Sequence, residues 1–144
     1  MSLDLMIIHE RTEEEILDEI REARKNKERL ETVDVEPTVW WENITHNLGT
    51  MAKNVPVSRE NTSLYNLLWK PGEAGFSKVT GEYISLVKEG LEYLRNHELE
   101  LSEFNPANHW GSYSGLLDFT RSLVFFLQNI KDYDKSNYII VADV

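Results

Sequence analysis

One predicted helix in this chain is apolar over most of its circumference, and this feature constrains the fold more than any other. The helix follows a cap at Ser112 or Ser114, and its apolar positions do not form a single stripe. A helix of this kind needs neighbours on several sides, so we predict that it is the central helix of the protein. Its apolar residues are Leu116, Leu117, Phe119, Leu123, Val124, Phe126, Leu127 and Ile130.

Strand-like sequence lies at both ends of the chain. Alternation over residues 3–8 predicts a strand with Leu3, Leu5 and Ile7 on one face. Residues 138–141 are rich in β-formers, and we expect them to pair with the first strand or with an extended segment over 33–41. Pro37 interrupts that segment and favours an edge strand, because proline cannot donate to a ladder. We therefore predict a two- to three-stranded sheet formed by the N-terminal and C-terminal strands.

Most of the remaining sequence has helical spacing. The pairing of Thr12 with Glu15 is a capping box, and it opens an acidic amphipathic helix over 12–31. Further helices are expected over 45–53, 61–69 and 80–97, and a loop over 98–111. A length of 144 residues suits one domain. The fold class predicted is α+β, mainly helical, with residues 1–144 forming a single domain.

Composition excludes several classes of function. The chain has no cysteine, which removes disulfide scaffolds, zinc–thiolate sites and cysteine nucleophiles. Its 15 Lys and Arg residues against 25 Asp and Glu give a net charge of −10, which would repel nucleic acid directly. A signal peptide and a membrane-spanning run are both lacking, so we expect no membrane association and a cytoplasmic protein.

Two polar segments, 43–47 and 105–113, carry the candidate binding residues. His46 and His109 each lie among amides and aromatics, and with an acid such as Asp118 they would suit a general base. The structural alternative is stronger, because Asn and Thr in such places usually cap backbone groups. The sequence offers no catalytic set, metal-ligand spacing or cofactor motif. The candidates are Trp41, Asn43, Thr45, His46, Asn47, Asn105, Asn108, His109, Trp110 and Tyr113.

The same segments resemble a known group of sequences. The motifs NITHNLGTMA, from Asn43, and FNPANHWGSYSGL, from Phe104, resemble an uncharacterised family of small bacteriophage, prophage and bacterial proteins. The resemblance covers about residues 33–144 and implies a phage or prophage setting rather than a reaction. Family members have glycine where this chain has His109. Relative to shorter relatives, the helix at 12–31 is an insertion.

These observations favour a non-enzymatic binding protein. Trp40 and Trp41 are adjacent on an extended segment, so one indole should be buried and the other partly exposed. An exposed tryptophan suits a protein partner, as does the acidic face formed by Glu14, Asp18 and Glu22. That face is compatible with an acidic inhibitor of a host protein.

Two other functions stay open at this stage. One is a binder of a small, nucleotide-like ligand between segments 43–47 and 105–113. The other, less favoured, is a hydrolase that depends on His46 or His109. Homo-oligomerisation is also open. His9 and His97 stand alone in the sequence, and we interpret both as surface residues.

Overall fold

The computed structural model describes residues 2–10, 18, 21–22 and 38–144. Three strands form one antiparallel sheet in the order β2-β1-β3. They are β1 (Ser2–His9), β2 (Thr38–Thr45) and β3 (Tyr138–Asp143). The α+β prediction is confirmed, and the C-terminal strand pairs with the first strand, one of the two partners expected for it.

The sheet has one apolar face that packs on the helices. Leu3, Leu5 and Ile7 alternate along β1 and are fully buried, as their period-2 spacing predicted. The opposite face, called the outer face here, has two different halves. One cross-strand row is apolar and joins Trp41, Met6 and Val141, whereas the next row is polar. The residues of the polar row are Asn43, Asp4 and Asp143.

The helices lie beneath the inner face. They are α1 (Gly49–Lys53), preceded by a 3₁₀ turn (His46–Leu48), α2 (Leu64–Trp69), α3 (Gly81–Asn96), α4 (Glu98–Ser102) and α5 (Tyr113–Gln128). A second 3₁₀ turn (Asp132–Asn137) leads into β3. The Thr80 hydroxyl caps α3 by accepting from the Tyr83 amide. The buried apolar side chains form one continuous core.

The last long helix is less enclosed than its composition predicted. One face of α5 packs against α3 and β2, and Phe119 meets the Trp40 ring at 5.6 Å between centroids. The opposite face lies in solvent and includes Phe125, which is 72% exposed. Within the described part of the chain, α5 contacts α3, α4 and β2, and these elements cover one side of it.

Two other expectations need comment. The loop predicted over 98–111 is wrong at its start, because the chain turns at His97 and forms the short helix α4 there. The acidic helix over 12–31 lies outside the described residues except for Asp18, Arg21 and Glu22. No helix among the described residues is long and apolar enough to cross a bilayer.

Candidate functional site

The two polar segments singled out in the sequence touch each other. Gly111 has a φ of +100°, and its α-carbon lies so close to the end of β2 that a β-carbon there would be 2.7 Å from Thr45 Cγ2. The Asn47 side chain donates to the Trp110 carbonyl at 3.4 Å. Segments 43–47 and 105–113 are therefore neighbours, joined by a backbone approach that only glycine permits.

Within the second segment, 105–113, the asparagine side chains accept hydrogen bonds from backbone N–H groups. Asn105 Oδ1 accepts from the Tyr113 amide at 2.8 Å, and Asn108 Oδ1 accepts from the Trp110 amide at 3.0 Å. His109 has a φ of +62°, in the left-handed region that non-glycine residues rarely adopt. The Tyr113 ring is buried, its hydroxyl donates to the Leu94 carbonyl, and burial raises its pKa. This loop is a structural element that displays Trp110.

His46 faces away from that loop into a different cleft. Its Nδ1 accepts a hydrogen bond from the Trp69 indole N–H at 2.9 Å. Because an indole nitrogen only donates, His46 Nδ1 must carry the lone pair, and the neutral ring is protonated at Nε2. The cleft has a volume of about 240 Å³, and its polar and aromatic lining is His46, Thr50, Lys53, Tyr65, Trp69 and Lys70. We call it the His46 cleft.

The structure does not bring the two histidines into one pocket. Residues 105–113 line none of the four principal clefts on the described part of the surface. Asp118 lies on the solvent face of α5, where Arg121 donates to it at 3.4 Å. His46, His109 and Asp118 therefore do not form the general-base arrangement that the sequence left open.

The outer face of the sheet holds the first polar segment. Asp4 Oδ1 accepts from the Trp41 indole at 3.2 Å and from the Asn43 side chain at 2.8 Å. Trp41 is nonetheless 59% exposed, whereas Trp40 is half-buried and donates to Ser122 at 3.1 Å. The two indoles lie on opposite faces of the sheet, as expected from their adjacency, but Trp40 is half-buried rather than buried. Trp110, on the loop that contacts the end of β2, is 71% exposed, so two connected segments each present an indole to solvent.

Sequence reasoning missed a partly buried hydrogen-bonded pair, His9 and Asp134, at the end of the sheet. His9 Nε2 lies 3.2 Å from Asp134, and the His9 side chain is only 20% exposed, so its interpretation as a surface residue is wrong. A hydrogen bond from Asn137 and the nearby His9 hold the pKa of Asp134 below its usual range. Burial, and then the Asp134 carboxylate, raise the pKa of Tyr138. The partners are 125 positions apart, so no local pattern could reveal the pair.

No sequence pattern indicated the wide groove that runs along α3. Its volume is about 670 Å³, and it runs between residues 56–58 and one side of α3. Ser58 donates to Glu89 through both its amide and its hydroxyl at 2.9 Å. His97, interpreted as a surface residue, is half-buried because it stacks on Tyr93 with 3.7 Å between ring centroids. The groove has acidic and basic side chains in its wall and is open to solvent.

Comparison of this chain with protein-family models, curated proteins and solved structures finds no match. Among the described residues, no group of three or more His, Cys, Asp or Glu side chains is arranged to hold a metal ion. The features that call for a functional explanation are the two exposed indoles, Trp41 and Trp110, and the basic His46 cleft.

Proposed function

We propose that this chain is a non-enzymatic binding protein whose partner is another protein. The observation that carries the proposal is the exposure of two indoles on connected segments, Trp41 at 59% and Trp110 at 71%. Trp41 and Thr45 are four residues apart on β2, about 13 Å, and Thr45 meets the loop that displays Trp110. We call this surface the aromatic strip; its residues are Trp41, Asn43, Thr45, Asn47 and Trp110.

The aromatic strip has the properties of an interface hot spot. Each indole has about 150 Å² of surface exposed to water. Burying that area in an interface would contribute at most about 4 kcal/mol per residue to the free energy of binding. Trp41 is also held in place through its hydrogen bond to Asp4, so little side-chain entropy would be lost on binding. Tryptophan is the residue type most enriched among those that dominate interface energies.

The charge of the chain indicates the chemistry of the partner. Asp4 and Asp143 lie opposite each other in the polar row of the outer face, and Glu42 is exposed on β2. On the predicted acidic face, Asp18 and Glu22 are exposed as well. With a net charge of −10, the chain would attract a basic protein segment and repel nucleic acid. In the phage or prophage setting suggested by the motifs, the partner would be a cytoplasmic host protein that this chain inhibits.

The alternatives have less support. A nucleotide-like ligand between segments 43–47 and 105–113 would need a pocket there, and their contact places Gly111 directly on Thr45 and Leu48. A hydrolase would need His46 as a base, but Trp69 already donates to its Nδ1. Homo-oligomerisation through the strip would bring together two copies that each carry a charge of −10.

The experiment is a capture from the bacterial host followed by measurement of affinity. Tagged protein is purified gently, and a native mass spectrum identifies the bound host protein. We expect Trp41→Ala and Trp110→Ala each to weaken the affinity for that protein at least tenfold. Phe125→Ala is the matched control, because Phe125 is as exposed as Trp110 but lies on α5.

Two outcomes would refute parts of the proposal. Equal affinity of the tryptophan variants and the Phe125 variant would exclude the aromatic strip as the binding surface. Charge reversal at Glu14, Asp18 and Glu22 is expected to abolish capture, and unchanged capture would exclude the acidic face. A spectrum showing the bare chain with a few hundred added daltons would favour a small ligand instead.

A further inference from the structure

The His46 cleft is electrostatically unlike the rest of this acidic chain. Lys53 and Lys70 both line it, and its lining contains no Asp or Glu side chain. Val144, the last residue, lines it as well, and the two ammonium groups outnumber its terminal carboxylate. Each of the other three principal clefts on the described surface has at least one glutamate in its wall. Lys70 has an exposed glutamate, Glu73, at 3.7 Å, a pair of little strength. The cleft is therefore a local concentration of positive charge.

His46 adds a directed donor to this charge. Trp69 is buried, and its indole N–H donates a hydrogen bond to His46 Nδ1. The neutral imidazole of His46 therefore carries its proton on Nε2. The Thr50 hydroxyl in the same lining can donate too. The Trp69 hydrogen bond fixes the plane of the imidazole without any ligand. Two ammonium groups and two neutral donors are the groups that recognise oxygen anions.

The size of the cleft and its aromatic wall limit the ligand. A volume of about 240 Å³ is below the range of about 300–1,000 Å³ usual for pockets that enclose a drug-sized ligand. Lys53 Nζ lies over the Tyr65 ring at 4.6 Å, and Trp69 stacks on the same ring at 5.3 Å. Both neighbours occupy the ring faces on which a nucleobase would stack. The cleft therefore suits a compact anionic group rather than a whole nucleotide.

We propose that the His46 cleft binds the phosphate or carboxylate group of a small compound, with Lys53, Lys70 and His46 Nε2 as its ligands. No residue of the aromatic strip lines this cleft, although His46 lies between Thr45 and Asn47 in the chain, and the proposal does not depend on the protein-binding function. The anion would enter beside the Tyr65–Trp69 stack, and Lys53 would leave the face of Tyr65 to reach it. With such a site, a chain of net negative charge would bind small anions at one defined position.

The test is a titration of the ¹⁵N-labelled full chain with inorganic phosphate at constant ionic strength, with chloride as the reference. We expect saturable shifts of the Trp69 indole N–H and the Thr50 amide, with a Kd of roughly 1 mM. A parallel titration with acetate distinguishes a phosphate site from a carboxylate site. A phosphate dianion should bind the two lysines more tightly than a carboxylate does. A linear response equal to that with chloride would overturn the proposal.

Variants separate binding from structure. The double variant Lys53→Gln/Lys70→Gln should weaken phosphate binding at least tenfold, and Lys88→Gln, an exposed lysine beside Glu89 in the groove along α3, should leave it unchanged. His46→Asn keeps an acceptor near the Nδ1 position for Trp69 but removes the Nε2 donor. It should weaken binding while the Trp69 indole resonance stays in place. Undiminished phosphate binding by the double lysine variant would refute the assignment.

Discussion

Replacing Gly111 with alanine tests how the two polar segments are joined. At a φ of +100° an alanine costs about 1–2 kcal/mol in backbone conformation. Its β-carbon would also lie 2.7 Å from Thr45 Cγ2 and 3.0 Å from Leu48 Cγ, and overpacking of this kind costs about 1–3 kcal/mol. The smaller entropy of the unfolded alanine chain returns about 0.4–1 kcal/mol. We expect a net loss of about 2–4 kcal/mol in the free energy of unfolding.

Urea denaturation measures this loss, and thermal unfolding should show a fall in Tm of about 6–16 °C. The matched control is Gly115→Ala in the first turn of α5. There the added β-carbon meets Leu48 Cδ1 at an ordinary 3.7 Å, and alanine is favoured in a helix by up to about 1 kcal/mol. A loss below about 1 kcal/mol for Gly111→Ala, or an equal loss for both variants, would refute the close approach.

Three further predictions concern stability. His109→Gly should stabilise the fold by about 0.5–1 kcal/mol, because glycine adopts a φ of +62° without strain; a loss in urea denaturation would contradict this. Asp134 has a lowered pKa, chiefly because Asn137 donates to it at 2.7 Å, so its stabilisation is complete above the ordinary value of 3.8 and is lost as pH falls through the lower folded pKa. Asp134→Asn should therefore flatten the acid limb of the stability–pH curve, and an unchanged limb would exclude this carboxylate. Tyr83→Phe should cost about 1–2 kcal/mol, since the buried Tyr83 hydroxyl donates to the Leu67 carbonyl at 2.9 Å, and calorimetry against wild type checks it.

Local periodicity was sufficient to predict the main elements. The alternation of Leu3, Leu5 and Ile7 predicted both β1 and its buried face, and the helical spacing from Thr80 predicted α3 within one residue at each end. The extended segment predicted over 33–41 overlaps β2 at residues 38–41, and β2 is at the edge of the sheet; Pro37 lies outside the described residues. These features depend on neighbours a few positions apart, and the backbone geometry of a strand or helix fixes which side those neighbours face.

The candidate site was predictable only in part. The adjacency of Trp40 and Trp41 on a strand predicted that one of them would be exposed, because adjacent side chains point to opposite faces, but it did not decide which one. The roles of Asn105 and Asn108 as backbone acceptors matched the structural alternative weighed for such residues. The partner of His46 could not be predicted, because Trp69 reaches it only when α2 packs against α1, the helix that follows the turn at His46.

What the sequence determined by itself is the set of elements, the α+β class and the acidic character of the chain, all of which depend on composition or short-range spacing. Only the tertiary structure decided which polar residues meet. It joined Gly111 to Thr45, paired His9 with Asp134 across 125 positions, and gathered Lys53 and Lys70 around one cleft. Such contacts arise from how strands and helices pack, and packing depends on the summed burial of the whole core rather than on any local pattern.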